Sequence, residues 1–165
     1  MASSMTSTRP TPTRLTDDPN LELDNQICFA LYSTTHALTR AYRQILETLD
    51  LTYLQYIVMM VLWERDGLTV KEIGQRLHLD SGTLTPLLKR LEAAELVRRQ
   101  RASGDERQVN IYLTDKGKAL YEKARGVPAQ VVCAAGQTPA QLTALKDELV
   151  ILRNNIEGNT SDDTA

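Results

Sequence analysis

TVKEIGQRLHLDSGTLTPLLKRLEAAELVRRQRASGDERQVNIYLT, residues Thr69 to Thr114, reads as two short helices followed by a hairpin. Thr69 with Glu72 three positions on forms a capping box, opening a helix that turns Ile73 and Leu77 inward. His78-Leu79 is a tight connection. Asp80 or Ser81 caps the second helix, whose Leu84, Leu87, Leu88 and Leu91 fall on one face. Pro86 fits only if that helix starts late enough to hold the ring in its first turn. Leu96 to Arg101 and Val109 to Leu113 alternate as strands do, and the short joint between them makes a hairpin with Asp105-Glu106-Arg107 at its tip. Helix, tight turn, helix and hairpin in this order build a winged helix-turn-helix.

Upstream, Asp66-Gly67 turns the chain, and Thr52 with Gln55 is a second capping box opening a helix that runs to about Arg65. Before it, Ile27, Cys28, Leu31, Tyr32, Leu38, Tyr42, Ile45, Leu46 and Leu49 recur at three- and four-residue steps, predicting a long amphipathic helix from Leu21. Downstream, Thr114 caps a long helix through Leu120, Tyr121, Ala124, Val127 and Val131, bent at Pro128. Thr138-Pro139 with Gln141 starts the last helix, and Leu142, Leu145, Leu149, Leu152 and Ile156 give it a coiled-coil seam. Such a seam needs a partner, either its own subunit or a second copy of the chain; the expectation is a homodimer. The predicted fold is therefore mainly α with a small β-hairpin wing: a winged helix-turn-helix plus a helical dimerisation region. Residues 1–20 form a Ser-, Thr- and Pro-rich disordered tail, 21–50 a dimerisation helix, 51–114 the winged module, 115–158 further dimerisation helices, and 159–165 a second tail.

The chain has 165 residues, 42% hydrophobic and 24% charged, the balance of a soluble globular protein. Its longest apolar run, Ile57 to Trp63, is too short for a bilayer, and no charged-then-apolar leader opens it, so no membrane partner and a cytoplasmic address are expected. The net charge of -2 lacks the overall basic signature of a nucleic-acid binder. The distribution carries more information: Lys89, Arg90, Arg98, Arg99 and Arg101 cluster against Glu92 and Glu95. His36 and His78 have no ligand spacing with either cysteine, so neither metal nor cofactor is expected.

On the second helix the outward residues are Ser81, Thr83, Thr85, Pro86, Lys89 and Arg90, behind Asp80 at the cap. Small hydroxyls and a proline at the front allow close approach to base edges, while the basic pair suits phosphates. Arg107 at the wing tip suits the negative potential of a narrow minor groove, with Asp105 holding it or the loop in place. The expected partner is double-stranded operator DNA, near-palindromic if two copies bind as a two-fold dimer.

At this point the chain resembles a known family. Leu68 to Leu91 and the Asp105-Glu106-Arg107 to Leu113-Thr114 pattern look like the MarR regulators over everything after the first tail. The run Asp80-Ser81-Gly82-Thr83-Leu84-Thr85-Pro86-Leu87-Leu88-Lys89-Arg90-Leu91, with Asn25-Gln26-Ile27-Cys28-Phe29, is closer still to their organic-hydroperoxide-sensing OhrR branch. The resemblance implies a repressor of a peroxide-detoxifying gene, released when the sensing cysteine is oxidised.

Cys28 and Cys133 are the two cysteines of the chain, and both fall in segments that read as helix outside the winged module. Cys28 is near the start of its helix, where the positive end of the dipole suits an anionic nucleophile, although Asp24 one turn earlier opposes it. Tyr32 and Tyr42 follow on the same side as hydrogen-bond donors for the sulfur, and in the resembled branch tyrosines matching these positions serve that purpose. Attack on a peroxide gives sulfenic acid, which a second thiol condenses to a disulfide. Cys133 is the candidate for that thiol, and its presence resembles the two-cysteine kind, in which the bridge joins two subunits. Phe29, Leu31, Met59, Met60 and Trp63 line an apolar pocket for an organic hydroperoxide, or are plain core. The principal rival is a MarR-type repressor released by a small phenolic ligand, its cysteines inert. A thiol peroxidase working through Cys28 has no Arg or His beside that residue to help it, and a helical scaffold leaves the basic hairpin without a purpose; the chain is not expected to be an enzyme.

Overall fold

A computed structural model describes residue 15, residues 17–102 and residues 105–161, with the side chains of all these except 102, 105–107, 160 and 161. The chain divides into two units, residues 1–38 and 39–165.

In the first unit, residues 19–21 and 23–25 form single 3-10 turns where the sequence pattern predicts continuous helix from Leu21. Local side chains hold them. Asp18 accepts from the Asn20 N–H at 2.9 Å, Asn25 donates to the Pro19 carbonyl at 2.9 Å, and Gln26 donates to the Asn20 carbonyl at 2.6 Å. These bonds satisfy backbone groups that a helix would otherwise have to pair. Helix α1 (Ile27–Ile45) therefore begins six residues later than the pattern suggests, and Cys28 is its second residue. Of the expected tails, residues 1–14, 16 and 162–165 lie outside the described residues, whereas Pro19–Leu21 and the end of the last helix are ordered turns of chain.

The second unit opens with the end of α1. A 3-10 turn, Glu47–Leu49, and left-handed Asp50 (φ 53°) lead into helix α2 (Tyr53–Glu64). The Thr52–Gln55 capping box forms with both of its bonds, at 2.8 and 3.4 Å. Helix α2 is the axle of this unit, burying Tyr56, Val58, Met59, Val61 and Leu62. Strand β1 (Leu68–Thr69), α3 (Val70–Leu77), α4 (Ser81–Ala93), β2 (Val97–Ala102) and β3 (Asp105–Leu113) follow. The sheet has three antiparallel strands in the order β1-β3-β2. Its first strand, two residues long, is an addition to the predicted hairpin. Asp66 accepts from the Leu113 N–H at 2.8 Å, and Gly67 (φ +76°) brings the turn so close to Tyr112 that a Cβ would strike the ring.

In the hairpin, Val97 pairs with Leu113, Arg99 with Ile111 and Arg101 with Val109, then a register irregularity brings Ala102 opposite Asp105. Regular pairing thus joins Val97–Arg101 to Val109–Leu113, within the strands the alternation indicates, and the strands extend toward the tip only beyond the irregularity. Leu46, Met59, Leu62, Ile73, Leu84, Leu88, Leu91 and Ile111 are almost fully buried, tying α2, α3, α4 and the sheet into one core. Each such side chain contributes about 1.5–3 kcal/mol of burial.

Helix α5 (Asp115–Ala124) is capped by Thr114 and separated from α6 (Val127–Ala135), so the predicted bent helix is two helices. Pro128 stands in the first turn of α6, where a missing N–H costs no hydrogen bond. Gly136 (φ +62°) ends α6, and α7 (Pro139–Ser161) begins with reciprocal bonds between Thr138 and Gln141. No residue of α1 or among the described residues of α7 is buried.

Candidate functional site

Helix α4 presents the face the sequence assigns to a duplex. Leu84, Leu87, Leu88 and Leu91 point into the core, which leaves Ser81, Thr83, Pro86, Lys89 and Arg90 exposed and Thr85 half-buried. Asp80 is spent differently: its carboxylate accepts from the Thr83 N–H at 2.7 Å and the Thr83 hydroxyl at 3.1 Å, making it the N-cap. Those bonds hold its carboxyl below the ordinary carboxylate value. Pro86 is the sixth residue of α4, inside the helix and not in its first turn. The Gly82 carbonyl one turn earlier thereby loses its usual N–H partner, a cost the buried leucine face of the same helix offsets.

The first helix of the pair is anchored in the same manner. Glu72 accepts from the Thr69 N–H and hydroxyl, both at 2.8 Å, and these bonds lower its carboxyl. The wing carries Arg98, Arg99 and Arg101 on β2. Arg98 lies over the Tyr112 ring at 4.7 Å and donates to Gln100, on the sheet face away from the buried Val97 and Ile111. The backbone of Asp105 and Arg107 belongs to β3; the side-chain contact expected between them lies outside the described residues.

Both thiols are free and exposed. Cys28 stands in the first turn of α1, in the first unit, with Ile27 66% exposed before it and Phe29 and Leu31 partly covered after it. Tyr32, one turn on, is 62% exposed and packs edge-on against His36 at 4.4 Å. Cys133 is on α6 in the second unit.

Tyr42 belongs to a group the sequence pattern does not single out. Its ring meets Tyr53 at 4.6 Å and Tyr56 at 6.1 Å, and the series continues from Tyr56 to Trp63 and from Trp63 to Tyr121. Burial, then the neighbouring Tyr53 and Tyr56, push the Tyr42 phenol up to about 12, so it stays a proton donor throughout the working pH range. Met59, expected beside the thiol, has no exposed surface and is core. Trp63 donates its Nε1–H to the Gly117 carbonyl at 3.0 Å. It also lines, with Tyr56, Met60, Tyr121 and Arg125, an open recess of about 490 Å³. Tyrosines 53, 56 and 121 are spread over two helices at ordinary core spacing, which is why sequence gives no sign of their convergence. Among the described residues, no group of three or more His, Cys, Asp or Glu is placed to hold a metal ion, and no helix is long and apolar enough to cross a membrane.

Comparison with known proteins places this geometry. The family described as transcriptional regulator SarA/Rot matches residues 40–124. The HTH-type transcriptional regulator TtmR of Methylorubrum extorquens is 55% identical over 140 residues, 85% of this chain and 71% of that protein. The organic hydroperoxide resistance transcriptional regulator of Bacillus subtilis is 44% identical over 133 residues, 81% of this chain and 90% of that one. Among solved structures, AbfR of Staphylococcus epidermidis is similar at TM-score 0.68 and 35% identity, over 82% of this chain and 94% of that chain. AbfR bound to DNA in its reduced form matches at TM-score 0.67, and disulfide-formed AbfR at 0.57.

Proposed function

The chain belongs to the MarR-like winged-helix transcriptional regulators, and from that premise we propose that it is a homodimeric repressor that holds operator DNA while Cys28 is reduced and releases it when an organic hydroperoxide oxidises that thiol. The observation that carries the redox half is the placing of Cys28: an exposed thiol in the first turn of a long helix, flanked by apolar Ile27 and Phe29. An attacking sulfur needs approach by the oxidant, and an apolar setting favours an alkyl peroxide over hydrogen peroxide. The hydroperoxide resistance regulator of B. subtilis and the reduced and disulfide-formed states of AbfR support this reading by likeness.

The chemistry closes with the groups the chain carries. The Cys28 thiolate attacks the terminal oxygen of ROOH, the O–O bond breaks, and the departing alkoxide takes up a proton to leave an alcohol and a sulfenic acid. The Cys133 thiol of a second copy then attacks that sulfur, a disulfide forms, and water leaves. Tyr32, one turn after Cys28 on the same helix, serves as a phenolic donor to the sulfur, with Phe29 giving the oxidant an apolar approach. Ser81, Thr83, Thr85 and Pro86 face base edges, Lys89, Arg90 and Arg107 hold the backbone and minor groove, and Asp80 keeps the helix start in place for them. A bridge between copies turns the two winged modules away from their half-sites, and a penalty of several kcal/mol on the bound state suffices to empty the operator. The thiol acts once per regulatory event, so the chain is no enzyme in this reading; sustained turnover of peroxide with a thiol reductant contradicts it.

Gel-shift assays on operator DNA before and after cumene hydroperoxide test the proposal. Wild type is expected to dissociate and Cys28→Ser to stay bound; a Cys28→Ser protein that still dissociates overturns it. Cys133→Ser is expected to abolish the dimer-sized band on non-reducing gels, and a persisting band removes Cys133 as the partner thiol.

The aromatic recess on α2 and α5 favours a second reading, release by a small phenolic ligand. Its volume suits such a molecule, and Arg125 supplies a cation beside Tyr56, Trp63 and Tyr121. Titrating phenolic acids into the reduced repressor–DNA complex separates the two, because this route needs no oxidant.

A further inference from the structure

We propose that a recess at the root of the wing seats one phosphate of the DNA backbone, held by Lys71 and Arg99. The proposal rests on the reading of the chain as a duplex-binding regulator and adds to it a contact outside the α4 face and the wing tip.

The recess, about 450 Å³, opens where the first turn of α3, the middle of α4 and the strands β2 and β3 converge; Thr69, Lys71, Thr85, Arg99 and Gln108 line it. Arg99 is the decisive residue. It is cross-strand from the fully buried Ile111 and two positions from the buried Val97, so its stem runs on the sheet face that packs toward the helices. Arg98 turns the other way, onto Tyr112. The Nε of Arg99 has no exposed surface and no hydrogen-bond partner. A guanidinium is always charged and presents only donors, so a sheltered N–H of this kind lacks an acceptor and gains from one arriving.

Among the described residues, the neighbouring carboxylates do not supply it. Glu72 points its Oε2 back to the Thr69 N–H and hydroxyl, and Glu92 accepts the backbone N–H of Arg99. Neither lines the recess, which is left with two cations, an amide and two threonine hydroxyls, of which that of Thr69 is already bonded to Glu72. Planar fork, flexible ammonium and neutral donors together match an oxyanion with several oxygens, which is what a phosphodiester offers. Thr85 fixes where that phosphate lies, because it belongs both to the recess and to the α4 face turned toward bases. The seat therefore grips the strand beside the bases that α4 meets, and the contact carries no sequence information of its own.

Salt dependence of binding reads this directly. On two duplexes of unrelated sequence, Lys71→Gln and Arg99→Gln are each expected to lower the slope of log K against log[salt] by about one. By counterion release alone, that is a loss of about fourfold at 0.2 M salt and about fifteenfold at 0.05 M, equal on both duplexes. A merely structural role for these residues shifts melting temperature without changing the slope. An unchanged slope in folded Lys71→Gln, or a loss confined to one duplex, overturns the proposal. If Arg99→Gln fails to fold, Lys71→Gln decides alone. Should wild type bind no duplex at low salt, the regulator reading itself fails, an outcome distinct from either of these.

Discussion

Gly117 shows how much can hang on one hydrogen atom. It is buried in the first turn of α5, and a Cβ built there falls far inside contact distance of the Leu96 carbonyl oxygen. That carbonyl is fixed, because it accepts from the Thr114 N–H, and the carbonyl of Gly117 itself receives the Trp63 indole N–H. One residue thus joins the end of the wing, the start of α5 and the aromatic series on α2. Gly117→Ala is expected to destabilise the protein by about 1–3 kcal/mol or more, since rigid backbone cannot yield as a side chain does. A thermal melt checks it, and an unchanged melting temperature means that α5 is free to slide. In sequence, this position is merely a glycine near a helix start, where flexibility or capping is the ordinary reading. Lys71 and Arg99 are illegible for a related reason: surface charges and sheltered ones look alike until register puts Arg99 opposite Ile111. The place of Cys28 near a helix start, by contrast, is legible, because helical periodicity is local to the residues around it.

At the scale of elements, the helix starts were the most readable features, since a cap depends on residue types three positions apart. Thr52 with Gln55 and Thr69 with Glu72 form both bonds of the box. What escaped reading was set by partners distant in sequence. Two residues are too few to show alternation, so β1 exists by virtue of its pairing with Asn110 and Ile111. The break between α5 and α6 reflects a choice between bending and restarting at Pro128, which the proline alone does not make. The caps also carry a pH signature. Glu72 and Asp80, at the starts of the two helices of the DNA-reading pair, have folded-state values below their ordinary 4.5 and 3.8. Their contribution is therefore whole above the ordinary carboxylate range and is lost as pH falls through the lower folded values. On acidification the melting temperature of wild type is expected to drop more steeply than that of a Glu72→Gln, Asp80→Asn double variant, whose caps no longer titrate. Parallel curves for the two proteins would mean that the caps bring no acid sensitivity to the fold.

At the scale of the molecule, much of the apolar surface of α7 lies open. Leu145 is 52% exposed, Leu149 38% and Ile151 54%, along a helix of 23 residues with no buried position among those described. Helix α1, described by itself, also buries none of its residues and leaves Ile27 66% and Leu38 41% exposed. Apolar area of this extent marks an association surface, and the homodimer proposed above would cover it. Sedimentation of the wild type is expected to give twice the mass of one chain, and a Leu145→Glu, Leu149→Glu variant to give a single mass with its helical circular dichroism kept. Two linked half-site contacts gain on the order of 10²–10⁴ over one, so this variant should lose operator affinity by at least about 10². Oxidation adds an independent readout. Formation of the sulfenic acid needs only Cys28 and a hydroperoxide, whereas the bridge to Cys133 needs the other copy. The variant is therefore expected to trap a sulfenic-acid probe at Cys28 while showing no dimer-sized band on a non-reducing gel. A dimer-sized band of wild-type intensity from a demonstrably monomeric variant would mean that the α7 surface is not what brings the two thiols together, and the copies would then have to meet through another face.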